Sequence, residues 1–158
     1  MIKKFIYIIS FCFFTQVALA AGSDSSSESD NYLDKYKSAK KLVNRGKKME
    51  SKGKNEKALK LYNSAYNELL EAYKIESRNP DILNYLGFTL RKAGKFEQAE
   101  KYYLQGLEIK PNHNGINEYL GELYIQTNRI DKAKERLAVL KNCKCEEYEE
   151  LKELIDKI

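Results

Sequence analysis

The sequence predicts an all-α fold built from stacked antiparallel helix pairs. Three observations predict it. Tyr85-Leu86-Gly87 returns 34 residues later as Tyr119-Leu120-Gly121. A small residue, Ala99 and then Ala133, follows each glycine by twelve positions. Gly94 and Asn128 hold the same place between them, where the chain must reverse. A period of this length marks a supersecondary unit that cannot bury its apolar face alone, so neighbouring units must stack. The chain has 158 residues, 42% hydrophobic and 32% charged, enough for one helical domain with a core.

The first element is not part of that fold. Met1 to Lys4 is a short basic start, and Phe5 to Val17 is almost unbroken apolar sequence. Ala18-Leu19-Ala20 then supplies small residues at the spacing of a cleavage site. This is the layout of a secretory signal peptide, and the apolar run is shorter than the roughly 20 residues of a membrane span. Residues 1–20 are expected to be removed, leaving a periplasmic or secreted chain that begins at Ala21. An uncut N-terminus acting as a membrane anchor is the alternative. Phe11 before Cys12 speaks against lipidation there. Residues 21–30, serine-rich and acidic, are expected to form a disordered linker, and residues 31–158 the folded domain.

The unit at 80–113 is the clearest. It reads Leu83-x2-Leu86-Gly87-x2-Leu90, then Ala99-x3-Tyr103, then Pro111. Asn79 is placed to cap its first helix and Pro80 to occupy the first helical position, where a missing N–H costs nothing. Pro111 ends the second helix by withdrawing a donor. The unit at 114–141 reads Asn117-x2-Leu120-Gly121-x2-Tyr124, then Ala133-x3-Leu137, with no closing proline. A disguised unit precedes them at 31–79. Gly46, Gly53 and Ala58 match Gly87, Gly94 and Ala99 at an offset of 41, which brings Leu42, Met49 and Tyr62 onto core positions. The seven additional residues fall in the second helix and equal about two turns, so its apolar face keeps register. Both helices of this first pair are expected to be elongated. A last helix over 146–157 carries Tyr148, Leu151, Leu154, Ile155 and Ile158 as one apolar stripe, as a capping helix does. Seven helices result.

These motifs resemble the tetratricopeptide repeat (TPR) pattern Trp-x2-Leu-Gly-x2-Tyr, Ala-x3-Phe, Pro. The likeness is close over Pro80 to Leu140 and looser over Ala39 to Asn79. It implies a right-handed superhelix whose concave face, lined by the first helix of each pair, binds a peptide or helix of a protein partner. The corresponding positions are Val43, Lys47 and Glu50, then Asn84, Phe88 and Arg91, then Glu118, Glu122 and Ile125. Asn84 and Arg91 suit a clamp for a C-terminal carboxylate, but Glu118 and Glu122 would repel one. A partner with an apolar residue for Phe88 and a base for the glutamates fits better.

Charge excludes some functions and leaves others open. Removing Lys3 and Lys4 lowers the formal net charge from +5 to +3, and no basic stripe interleaved with aromatics points to nucleic acid. Asp34 to Lys60 holds eleven lysines and arginines against three acids, whereas Cys143 to Ile158 holds three lysines against six acids. Solvated helix faces explain this, and so do head-to-tail self-association or a basic end meeting an acidic partner or anionic membrane surface.

Cys143 and Cys145 are the cysteines outside the signal segment. In an oxidising compartment they are expected to form a disulfide at the turn before the last helix. Free thiols, an intermolecular bond, and metal or redox use are the alternatives. The run Cys143-Lys144-Cys145-Glu146-Glu147-Tyr148 followed by Leu151 resembles the tail of some small exported TPR proteins of Gram-negative bacteria. Nothing in the chain calls for an enzyme or a cofactor: His113 sits in a Pro-Asn-His-Asn-Gly loop, and no nucleophile has a convincing local base. The expected function is a periplasmic interaction scaffold or assembly factor. The alternative is a thiol-redox or metal-handling protein using the cysteine pair.

Overall fold

The computed structural model describes residues 25–158, with side chains from Asn31 onward. The expected signal segment therefore lies outside the described residues. Among the described residues seven helices follow one another: α1 (Ser25–Glu50), α2 (Asn55–Ile75), α3 (Pro80–Lys92), α4 (Phe96–Ile109), α5 (Asn114–Gln126), α6 (Ile130–Leu140) and α7 (Glu146–Asp156). α1 with α2, α3 with α4, and α5 with α6 form antiparallel hairpins, and each hairpin stacks on the next. α3 also touches α1 on one side and α5 on the other, so the three make the inner layer, while α7 closes the far end against α5 and α6. Among the described residues no helix is long and apolar enough to cross a membrane.

The first pair is elongated, as its offset implied. α2 has 21 residues against the 14 of α4, and α1 has 26 against the 13 of α3. α1 begins at Ser25, inside the stretch expected to be disordered. Extending a helix that already exists needs no new nucleus, so a polar segment can still continue it.

Local sequence chemistry sets the ends. Gly53, Gly94 and Asn128 carry φ of +69°, +74° and +56° at the three hairpin turns. Glycine takes that left-handed conformation freely, and asparagine is among the few other residues that tolerate it. Asn79 Oδ1 accepts from the backbone N–H of Asp81 at 2.9 Å and of Ile82 at 3.3 Å, capping α3 as expected. His113 does the same for α5. Its Nδ1 accepts from Ile116 N–H at 3.2 Å, so the neutral ring carries its proton on Nε2, which donates to Asp81 at 3.1 Å. That bond holds the Asp81 carboxyl below the usual carboxylate range despite partial burial.

Glycines inside the helices bring the layers together. A methyl group on Gly46 would overlap the ring of Tyr62, and one on Gly87 would overlap the ring of Tyr103. Around these contacts Leu69, Ile82, Leu83, Leu86, Ile116, Leu120 and Leu123 are fully buried. Each contributes on the order of 1.5–3 kcal/mol of burial free energy. The stripe expected on α7 divides. Leu151 is buried and Tyr148 and Ile155 are half-buried, but Leu154 and Ile158 are exposed. No further unit stacks beyond α7 among the described residues, so only the face toward α5 and α6 finds a partner.

Candidate functional site

The structure gathers most of the residues expected on the concave face, but it does not leave them open. Asn84, Phe88, Arg91 and Glu118 are only 5%, 2%, 3% and 3% exposed, and Val43 is fully buried. A partner cannot press on these side chains directly. The physical reason lies in what covers them. Lys47 of α1 reaches across to α5, where its ammonium donates to the Tyr119 hydroxyl at 2.8 Å. The same ammonium stands 5.1 Å from the Phe88 ring centroid and 5.2 Å from that of Tyr119.

Beneath it lies a charged aromatic cluster. Phe88 meets Tyr62 edge-on at 5.4 Å and Tyr119 at 5.1 Å between centroids. The Arg91 guanidinium sits 5.6 Å from both the Phe88 and Tyr119 rings, and its Nη1 lies 2.7 Å from Glu122 Oε2. This contact is ionic rather than a well-aligned hydrogen bond, and Arg91 Nε and Asn84 Oδ1 have no partner among the described residues. A desolvated cation over aromatic faces gains on the order of 2 kcal/mol. Arg91 is thus committed to Glu122 and to two rings, which removes it from any carboxylate clamp.

Two acids of the face behave differently. Burial pushes the Glu50 carboxyl upward, but hydrogen bonds from Lys92 at 2.6 Å and Tyr62 at 2.7 Å outweigh it and hold the group below the usual range. For Glu118 the charge of Lys47 pulls the carboxyl down but is outweighed. Burial first, then a hydrogen bond with Glu150 and the neighbouring charge of Glu122, push its carboxyl up to about 10. Its carboxyl is thus held toward the neutral form beside α7, rather than offered to a partner as the negative charge the sequence had suggested.

What remains at the surface is a rim. Lys47 is exposed, and Glu50, Glu122 and Ile125 are half-exposed. The sequence marked Tyr62 as a core position and Tyr119 as part of a repeated motif, but it carried no sign that Lys47 and Tyr119, 72 residues apart, would meet. Lys92 and Glu150 were missed as well. On the side formed by α2 and α4, Tyr66, Tyr73 and Tyr102 line a shallow hollow, with Tyr73 and Tyr102 edge to face at 5.9 Å.

At the turn into α7, Cys143 and Cys145 are joined, with their Cα atoms 5.2 Å apart. Among the described residues no group of three or more His, Cys, Asp or Glu side chains converges as a metal site would require.

Comparison with known proteins agrees with the architecture. Residues 80–113 match the tetratricopeptide repeat family. Over 81 residues, 51% of the chain, it is 30% identical to the human protein O-mannosyl-transferase TMTC3, and over 72 residues it is 31% identical to the mouse protein. The chain spans only 9% and 8% of the length of those two relatives. Among solved structures it resembles the Yersinia enterocolitica type III secretion translocator chaperone SycD, with a TM-score of 0.57 and 14% identity over 76% of this chain and 89% of that one. A tetratricopeptide repeat protein from Parabacteroides merdae gives a TM-score of 0.51 and 19% identity over 77% and 60%. At these identities the likeness shows the fold, an all-α TPR superhelix.

Proposed function

We propose that this chain, built around a tetratricopeptide repeat, is a non-catalytic scaffold or assembly factor that receives a peptide or helix of a protein partner on its concave face. One observation carries the reading. α1, α3 and α5 are locked together by the cluster of Lys47, Phe88, Arg91, Tyr119 and Glu122, which presents a rigid rim of mixed charge around a half-exposed Ile125. A face whose side chains are already held in place loses little entropy on binding, so modest contacts yield affinity. The comparison supports the same use of the fold, since SycD has been seen with a peptide of the translocator YopD. The N-terminal sequence supports placing the chain in the periplasm, and an intact mass beginning at Ala21 would test that placement.

The rim, not Phe88, is where binding should be tested, because truncating a buried ring would only open a cavity. The partner identified by affinity capture is titrated against the wild type, Glu122→Lys, Ile125→Asp and, on an exposed position of α4, Glu97→Lys. The first two substitutions should weaken binding at least tenfold, and the third should leave it unchanged. Equal affinities for all four proteins would place the partner elsewhere and end the concave-face reading.

A further inference from the structure

The Cys143–Cys145 bond encloses a single residue, Lys144, and so cross-links nothing that the backbone does not already hold. Stabilisation by a disulfide grows with the length of the loop it closes, and here that loop is minimal. α6 and α7 are consecutive in the chain, and α7 is held on α5 by Leu151 against Gly121. A structural role does not account for the bond.

Its surroundings favour reaction. Both cysteines are partly exposed, and the exposed lysines 141 and 144 stand on either side of Cys143. Lys144 has φ +52°, a left-handed conformation that is costly for a lysine, unlike glycine or asparagine. Cys145 is the N-cap residue of the 11-residue α7, so a thiolate on its Sγ would meet the positive end of the helix dipole. Glu146 and Glu147 in the first turn oppose that effect, while Lys144 reinforces it. Exposed and strained disulfides are the labile ones, in contrast with buried bonds that staple a fold.

We propose that Cys143–Cys145 is a thiol–disulfide exchange site that oxidises accessible thiol pairs of a protein substrate. A substrate thiolate, drawn by the lysines, attacks Cys143 Sγ. The Cys143–Cys145 bond breaks, a mixed disulfide forms on Cys143, and the electron pair leaves on Cys145 as thiolate. The second substrate thiol, losing its proton to solvent or to Cys145, attacks the substrate sulfur of the mixed disulfide. Cys143 departs as thiolate, the substrate gains one disulfide, and the chain is reduced by two electrons. The exchange is stoichiometric, one substrate disulfide for each oxidised chain.

The test uses the oxidised full chain and a synthetic peptide with two cysteines as the reduced probe, with samples quenched in acid, alkylated and read by mass spectrometry. The proposal expects one peptide disulfide per chain, formed with a rate constant at least tenfold above that of oxidised glutathione, and a transient adduct on Cys143. Lys144→Gly, which removes both the left-handed strain and one of the cations that draw the substrate thiolate without touching either sulfur, should slow the reaction several-fold while leaving the helical circular dichroism intact. A chain that stays oxidised under excess peptide would overturn the proposal. So would a rate no higher than that of glutathione, or equal transfer by the Cys143→Ser/Cys145→Ser variant. An adduct found on Cys145 would overturn the assignment of attack to Cys143.

Discussion

The first two hairpins and the third close over their glycines in different ways. In the first, Gly46 receives the ring of Tyr62 from α2, and in the second, Gly87 receives that of Tyr103 from α4. Both tyrosines come 16 residues after their glycine. The residue at that spacing from Gly121 is Leu137, yet it stays half-exposed, and Gly121 meets the side chain of Leu151 from α7 instead. The contrast teaches that the third repeat is incomplete without the cap. α7 is not a lid on a finished array but the missing packing partner of α5. It also makes this end the softer one. A rigid buried ring from within the hairpin closes the first two units, whereas a flexible leucine on a terminal helix closes the third.

Substitutions at these seams test the difference between the hairpins. Leu151→Ala should have the largest effect, about 3 kcal/mol by urea unfolding, because it removes a fully buried side chain at the one seam between α5 and α7. If its effect matched that of an exposed leucine such as Leu154, α7 would be ornamental. Gly87→Ala should follow at about 2 kcal/mol, the overlap with the buried Tyr103 ring outweighing the better helix propensity of alanine. Gly121→Ala should fall lower, at about 1 kcal/mol, because the tip of Leu151 can turn aside and α7 can shift. Equal losses at Gly87 and Gly121 would show that the cap is as rigid as the hairpins.

Glu118 adds a pH-dependent contribution at the same seam. Its carboxyl titrates near its ordinary value of 4.5 in the unfolded chain and at about 10 in the folded one. The folded state therefore holds a proton that the unfolded state has released, so stability falls as pH rises from about 4.5 toward 10. Glu118→Gln, which keeps the shape and cannot ionise, should flatten that decline in unfolding curves taken across the window. A variant that kept the wild-type slope would assign the decline to another group.

Much of this architecture was legible in the sequence because repeats write their geometry locally. The glycines, the alanine twelve residues on, the turn positions Gly53, Gly94 and Asn128, and the Asn79 cap act within one hairpin, so spacing alone reveals them. The candidate site was less legible. A repeat pattern tells which helix face Phe88 and Arg91 share, but not what lies above that face. Lys47 covers Phe88 from a different hairpin, and the partner of Gly121 comes from outside the repeat. The raised carboxyl of Glu118 arises first from burial and then from Glu150, a residue of the cap that reads in the sequence as one solvated acid among several. In each case the decisive contact links segments whose relation no local rule encodes.

The most direct test of the cap as the completing element of the third repeat is a double-mutant cycle between Gly121→Ala and Leu151→Ala. With the leucine cut back to alanine, the three atoms nearest to a methyl group on Gly121 are gone. The account predicts that Gly121→Ala, destabilising in the wild type, becomes neutral or stabilising in the Leu151→Ala background, a coupling of about 1 kcal/mol or more. Strictly additive losses would contradict it, since they would mean that Leu151 does not fill the place that Tyr62 and Tyr103 fill in the first two hairpins.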